Sequence, residues 1–366
     1  MNIVIAAGGT GGHLYPAIAL AQEFVRQDLT TSVLFIGTTR GIEGKVLPRE
    51  GLSLRTITAL PVMGGGPMRV LSGLWALRSG IGQSISILRA HKAVLVIGIG
   101  GYTSPPVLAA AGLLRIPCAL LEPNACPGMA NRALGPLARR IFLAFASAAP
   151  YFSRSKVRVV GTPIRRSFFE RDGSDSVPVD PPSDRRKTLL IFGGSQGARA
   201  INDAVIDALP RLQAMKEWMA IIHQTGEADH ARVRMAYEAA GLEARVTPFL
   251  FDMPMVLRAA DLVVSRAGAV TVAELTACGK PSILIPLPQA IYQHQLRNAE
   301  VLRDAGAAVL IPQAELMGNR LAETIERVLH DENRLRDMGA KSRALGRTDA
   351  AERIVQECRT LLGCVA

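Results

Sequence analysis

At 366 residues, 49% hydrophobic but only 5% aromatic, the chain suits about two α/β domains with aliphatic cores. Its five cysteines, odd in number and without a CxxC pair, argue against a disulfide framework or a zinc cluster. The net charge of +11 lies entirely in residues 1–160, which hold 16 Lys/Arg against 5 Asp/Glu, while the remainder holds 26 against 26; the excess attracts phosphates, and few aromatics with no recognised binding motif disfavour nucleic acid.

The opening residues Met1, Asn2, Ile3, Val4 and Ile5 read as a first strand and not as a signal peptide. Strands are expected at 3–6, 32–36, 93–97, 118–121 and 141–144, and again at 189–192, 220–223, 246–249, 262–265 and 282–286. Helical stretches of roughly 10–20 residues separate most of them, the pattern of βαβ units on a parallel sheet. Between the second and third strands, residues 67–92 carry Leu71, Leu74, Trp75 and Leu77 among Arg69, Arg78, Arg89 and Lys92, an amphipathic helix with its loop. No run reaches about 18 uninterrupted apolar residues, so no transmembrane helix is expected; the nearest, 93–121, is broken by glycines, prolines and Arg115.

The two strand series open alike. The first strand runs into Gly8, Gly9, Thr10, Gly11, Gly12 and His13, and strand 189–192 runs into Gly193, Gly194, Ser195, Gln196 and Gly197. Two Rossmann-like domains follow, 1–162 and 163–340, with a tail at 341–366 whose helix can return to the first domain; 172–184 reads as a surface loop. Glycine turns between strand and helix let backbone N–H groups approach an anion at a helix N-terminus. Neither loop is followed by Lys-Ser/Thr, so neither is a Walker A loop. The acid that an NAD site places after the second strand is missing, since Gly37, Thr38, Thr39 and Arg40 stand there. His13 begins the helix after the first loop, where the dipole disfavours imidazolium and leaves a neutral proton acceptor; a capping or packing role competes with that reading. In segment 261–274 a strand, tight turn and helix bring Thr271 and Glu274 into i, i+3 relation; the carboxylate suits two ribose hydroxyls or simply the helix dipole. Gln293, His294, Gln295 and Asn298 form a polar cluster further on.

Taken together the motifs resemble one family, the bacterial UDP-N-acetylglucosamine–undecaprenyl-diphospho-muramoylpentapeptide N-acetylglucosaminyltransferases, which make lipid II from lipid I. The resemblance spans essentially the whole chain: 8–13, 98–102, 122–128, 160–165, 193–198, 265–274 and 349–354. One departure stands out: where the family usually reads His-Glu-Gln-Asn, this chain has Leu121, Glu122, Pro123 and Asn124. The resemblance implies the GT-B fold, two Rossmann-like domains facing across a cleft, and an inverting transfer of GlcNAc from UDP-GlcNAc to the muramyl C4 hydroxyl. It implies that Ser195 and Arg165 meet the diphosphate, backbone near Leu250 reads uracil, Ala269, Val270 and Thr271 line the nucleotide site, Glu274 holds the ribose and Gln295 or a neighbour the sugar. Thr10, Gly11, Gly12 and Asn124 would close over the donor, with His13 as general base and Glu122 as the second choice. No cofactor and no metal are implied. Lipid I and an anionic membrane surface, met by Leu71, Leu74, Trp75 and Arg78, are implied partners at the cytoplasmic face of the plasma membrane, along with proteins of cell-wall synthesis and division. Competing readings are another GT-B transferase with a different UDP-sugar or a lipid such as diacylglycerol, a silent sugar-nucleotide-binding scaffold and, more distantly, an NAD-dependent oxidoreductase.

Overall fold

The computed structural model describes residues 1–8, 11–39, 42–60, 67–169, 186–288 and 293–363; the expected loop 172–184 lies outside the described residues. The chain divides into two compact units, one of Met1–Arg165 with Thr348–Ala366, the other of Arg166–Arg347.

The first unit runs β1 (Asn2–Ala6), α1 (Gly11–Gln27), β2 (Ser32–Gly37), α2 (Glu43–Val46), β3 (Ser53–Thr56), α3 (Pro67–Ala90), β4 (Leu95–Gly98), α4 (Ser104–Leu113), β5 (Cys118–Glu122), α5 (Met129–Leu134), β6 (Arg140–Leu143) and β7 (Val157–Val159). Its seven strands are parallel in the order β3-β2-β1-β4-β5-β6-β7. The second unit runs β8 (Lys187–Phe192), α6 (Arg199–Leu212), β9 (Met219–Gln224), α7 (His230–Ala239), β10 (Ala244–Thr247), α8 (Met253–Ala259), β11 (Leu262–Ser265), α9 (Ala269–Cys278), β12 (Ser282–Leu284), α10 (His294–Asp304), β13 (Ala308–Leu310), α11 (Gly318–His330) and α12 (Glu332–Leu345). Its six strands, also parallel, follow the order β10-β9-β8-β11-β12-β13.

The apolar runs follow from burial on both sheet faces. Side chains alternate along a strand, so Ile3 and Ile5 join Leu14 and Ile18 of α1 in one cluster, while Val4 and Ala6 join Leu88 of α3 and Val107 and Leu108 of α4 in another. Leu189 and Ile191 likewise join Ile201 and Val205 of α6 and Ile325 and Val328 of α11.

A last helix, α13 (Ala350–Leu361), completes the first unit. Ile354, Val355 and Cys358 are fully buried in the cluster that holds Ile3, Leu14 and Phe24. Glu357 accepts from Arg140 of β6 (3.1 Å) and Arg158 of β7 (3.2 Å), tying the helix to one side of the sheet. The division between units differs from the expected one in two places. It falls at Arg165/Arg166 and not after 162, and residues 341–347 stay with the second unit because α12 runs to Leu345.

All ten expected strands are present within a few residues of their expected ends. Three others, β3, β7 and β13, were absent from the expectation, and each stands at the edge of its sheet. Edge strands are covered less completely; Ser53–Thr56 is mostly exposed and lacks an apolar run to betray it. At the fourth edge, β10 lies at Ala244–Thr247, two residues before the expected 246–249, and Pro248 to Leu250 continue as loop.

Candidate active site

Each sheet reverses its strand order beside its first strand: β1 lies between β2 and β4, and β8 between β9 and β11. Crossovers leaving in opposite directions open a crevice at the carboxyl ends of these strands, where open α/β sheets bind ligands. The two glycine-rich loops leave β1 and β8 at these crevices.

In the first unit Ala6 pairs with Gly98, and the chain beyond β4 turns sharply at Gly100 and Gly101, with φ of 102° and 72°. The buried Ser104 hydroxyl accepts from Gly100 N (3.0 Å) and lies 2.8 Å from Gly100 O, closing the turn. The half-buried His13, third residue of α1, lies against it. A Cβ at Gly100 would stand 3.4 Å from His13 Nε2, and one at Gly101 3.7 Å from His13 Nδ1 and 3.2 Å from Gly8 O. Gly11 is half-buried and Gly12 exposed, while Thr10 lies outside the described residues.

Glu43, which the sequence reading passed over, is fully buried beneath this loop. Its carboxylate accepts from Thr38 N (2.8 Å) and Thr38 Oγ1 (3.1 Å) and fills the space a Cβ on Gly8 or Gly37 would need. An acid does reach the end of β2, but from α2 and inside the protein.

Glu122, the second choice as base, ends β5 with 1% exposure. Oε1 accepts from Asn124 N and Asn124 Nδ2, both at 3.0 Å; Oε2 accepts from Gly128 N (3.0 Å) and Asn131 Nδ2 (2.9 Å). Four donors occupy this carboxylate, which ties the 123–128 loop to the sheet. Arg132 reinforces the loop through Pro127 O (3.0 Å) and Cys126 Sγ (3.3 Å) while stacking 4.0 Å over the Tyr151 ring. Asn124, expected to close over the donor, is drawn into the same knot. Arg165, expected in the second domain, closes the first unit, its guanidinium 5.4 Å above the Tyr15 ring of α1.

In the second unit the loop after β8 turns tightly, Gly197 N donating to Gly194 O (2.8 Å), and leaves Ser195 exposed. It abuts the loop after β9 backbone to backbone: a Cβ on Gly197 would come within 1.9 Å of Thr225 O, and one on Gly226 within 2.2 Å of Gln196 O. A buried strut holds that contact. Asn202 Nδ2 donates to Thr225 O (3.0 Å) and Asp229 Oδ2 (2.8 Å), so its Oδ1 must accept from His223 Nε2–H (3.1 Å), and His223 Nδ1 accepts from the Tyr237 hydroxyl (3.2 Å). Burial depresses the His223 pKa to about 3, which keeps the ring neutral.

Across the crevice, β11 ends at Ser265 beside Phe192, and Gly268 leads into α9. Ala269 and Val270 are buried, so they can offer a ligand only backbone N–H groups of the first helical turn, while Thr271 and Glu274 are half-buried. The buried Arg266, also missed, donates to Ile285 O (3.1 Å), Pro286 O (3.3 Å) and Gln313 Oε1 (2.7 Å), bracing the loop after β12. Of the competing amides, Gln295 has its Oε1 occupied by Leu287 N (3.0 Å), and Gln293 sits at the N-cap of α10 in the left-handed region, φ 54°. Leu250 is buried, flanked by Phe249 and the 76% exposed Phe251, whose rings meet edge to face at 4.8 Å.

The family models for the glycosyltransferase family 28 N-terminal domain and C-terminal domain match residues 3–143 and 188–354. A UDP-N-acetylglucosamine–N-acetylmuramyl-(pentapeptide) pyrophosphoryl-undecaprenol N-acetylglucosamine transferase from Syntrophus aciditrophicus is 46% identical over 362 residues, 99% of each chain. A protein of the same name from Myxococcus xanthus is 43% identical, covering 99% of this chain and 93% of its own. Among solved structures, MurG from Acinetobacter baumannii superposes with a TM-score of 0.74 at 28% identity, over 98% of this chain and 100% of that one. S. aureus MnaA in complex with UDP shares the fold, with a TM-score of 0.73 at 16% identity over 100% and 98% of the chains. The two parallel-sheet α/β domains are those of the GT-B fold.

Proposed function

This chain belongs to glycosyltransferase family 28, among its UDP-N-acetylglucosamine–N-acetylmuramyl-(pentapeptide) pyrophosphoryl-undecaprenol N-acetylglucosamine transferases, and from that premise we infer that it transfers GlcNAc from UDP-GlcNAc to lipid I, giving lipid II. The observation that carries this is the 46% identity over 99% of the chain to a transferase of that name. Incubation with UDP-GlcNAc and a lipid I analogue, followed by UDP release and product mass, tests it. Donor binding without transfer would instead support a silent scaffold, and transfer only to another lipid a different acceptor class.

The muramyl C4 hydroxyl attacks the anomeric carbon in line. Its O–H bond breaks as the new glycosidic bond forms, the anomeric carbon–phosphate oxygen bond breaks with its electron pair leaving on UDP, and the α-linked donor becomes a β-linked product. His13 receives the hydroxyl proton. The departing diphosphate gathers charge, which backbone amides of the loop at Ser195, the first turn of α9 and the Arg165 guanidinium stabilise. Glu274 holds the ribose and the backbone at Leu250 reads uracil, while Glu122 and Asn124 keep the 123–128 loop in shape.

A polyprenyl acceptor requires work at a membrane surface, at the cytoplasmic face, near proteins of wall synthesis and division. No described helix is long and apolar enough to cross a membrane. Trp75 on α3 is 70% exposed, and the exposed Arg78 stands one turn on. An aromatic ring beside a cation suits the lipid interface. Leu71 and Leu74 lie outside the residues whose side chains are described. Replacing Leu74 and Trp75 by Ser should release the protein from anionic liposomes, and unchanged binding would remove this patch from the reading.

A further inference from the structure

Asn131 on α5 is buried in the knot that Glu122 ties, and only half of its amide is used. Nδ2 donates to Leu121 O (3.2 Å) and Glu122 Oε2 (2.9 Å), whereas Oδ1 has no hydrogen-bond partner among the described residues. The orientation is forced, because flipping the amide would set its oxygen against two acceptors. A buried acceptor left without a donor costs stability and calls for a reason.

The reason lies across Gly100. The point where a Gly100 Cβ would stand is 3.3 Å from Asn131 Nδ2, 3.5 Å from Asn131 Oδ1 and 3.4 Å from His13 Nε2. The amide and the imidazole therefore both approach the same bare backbone position. We propose that Asn131 is a positioning residue for His13: its Oδ1 accepts a hydrogen bond from Nε2–H of the imidazolium formed when the ring takes the acceptor hydroxyl's proton. Glu122 holds Asn131 Nδ2 and so aims Oδ1, placing the charge of the carboxylate one residue behind the ring. The proton gained by the imidazole is the one lost by the attacking hydroxyl, and the electron pair of the broken sugar–phosphate bond leaves with UDP. The proposal rests on the reading of His13 as the base.

The other titratable or charged groups around this turn are Glu43 beneath Gly8, Tyr15 of α1 with Arg165 over its ring, Tyr102 next to Gly101 in the chain, Glu122 bonded to Asn131, and Arg132 beside Asn131 on α5, which is engaged with Pro127, Cys126 and Tyr151. Replacing Asn131 also removes one of the four donors of Glu122, so the imidazole's titration is read beside a Glu122→Gln variant, which removes that charge and leaves the Asn131 oxygen in place. The test is an NMR titration of the His13 ring in the full chain, assigned with His13→Gln, for the parent, Asn131→Ala and Asn131→Ser. Loss of the acceptor should lower the midpoint by about half a unit or more in both variants. In transfer assays the acid limb of kcat should move the same way, with kcat falling about tenfold in Asn131→Ala and KM for UDP-GlcNAc little altered. An unmoved His13 midpoint in a folded variant overturns the proposal even where the parent is active. A parent in which His13→Gln leaves turnover intact overturns the base assignment instead. If Asn131→Ala fails to fold, Asn131→Ser decides by the presence or absence of the downward shift.

Discussion

His13 and Glu122 both carry ionisable side chains close to strand ends, yet their surroundings differ. Four hydrogen bonds fill the Glu122 carboxylate, while the His13 ring rests on a turn of bare glycine backbone. Replacing His13 by Ala should lower turnover by a factor of about 100 or more without unfolding the protein, as read by steady-state transfer beside circular dichroism. His223 adds a contribution to acid sensitivity. Its folded pKa of about 3 lies below the ordinary 6.5 of the unfolded chain, so the unfolded form binds the extra proton between those values. Its contribution to stability is therefore complete above that window and is lost as pH falls through it, by about 1.4 kcal/mol per pH unit. Urea unfolding at about pH 7 and pH 4 should show a smaller loss in a folded His223→Gln protein than in the parent.

At the scale of elements, the two loops after β8 and β9 depend on each other. A methyl group at Gly197, where φ is 74°, would meet Thr225 O at 1.9 Å, a distance no side chain tolerates. Gly197→Ala should force the loops apart and weaken UDP binding at least tenfold by calorimetry. How far such features were legible beforehand follows from what each element buries. Central strands such as β1 and β8 are covered on both faces and announce themselves as apolar runs. Ser53–Thr56 pairs along one side only and has mostly exposed side chains, so nothing in its composition separates it from a loop. The same limit holds in the site. His13, Ser195 and Glu274 stood out because they sit in or beside glycine-marked turns. Asn202 acts through Thr225, Asp229 and His223, which only the assembled crossovers bring to it, while Glu43 and Asn131 bond to nearby Thr38 and Glu122 without any glycine-marked motif to announce them.

Across the whole molecule the charge is divided as sharply as the fold. Residues 51–121 contain no Asp or Glu at all, and α3 with its exposed Trp75 lies within them. Attachment to anionic vesicles should accordingly weaken as salt rises from about 0.05 M to 0.5 M, where screening shortens below the reach of a surface arginine. Retention at high salt would assign the attachment to apolar insertion alone. The docking of α13 has a different consequence, one of timing. Ile354, Val355 and Cys358 belong to the same cluster as Ile3 and Leu14, yet all of Arg166–Arg347 is made before they leave the ribosome. At about 5–20 residues per second that interval is roughly 10–40 s, during which the nascent first unit carries an uncovered apolar strip. Chaperone capture during synthesis, and rescue of a stalled 1–165 fragment by a peptide of 348–366 supplied in trans, are the expected marks of a unit whose first residues wait for its last.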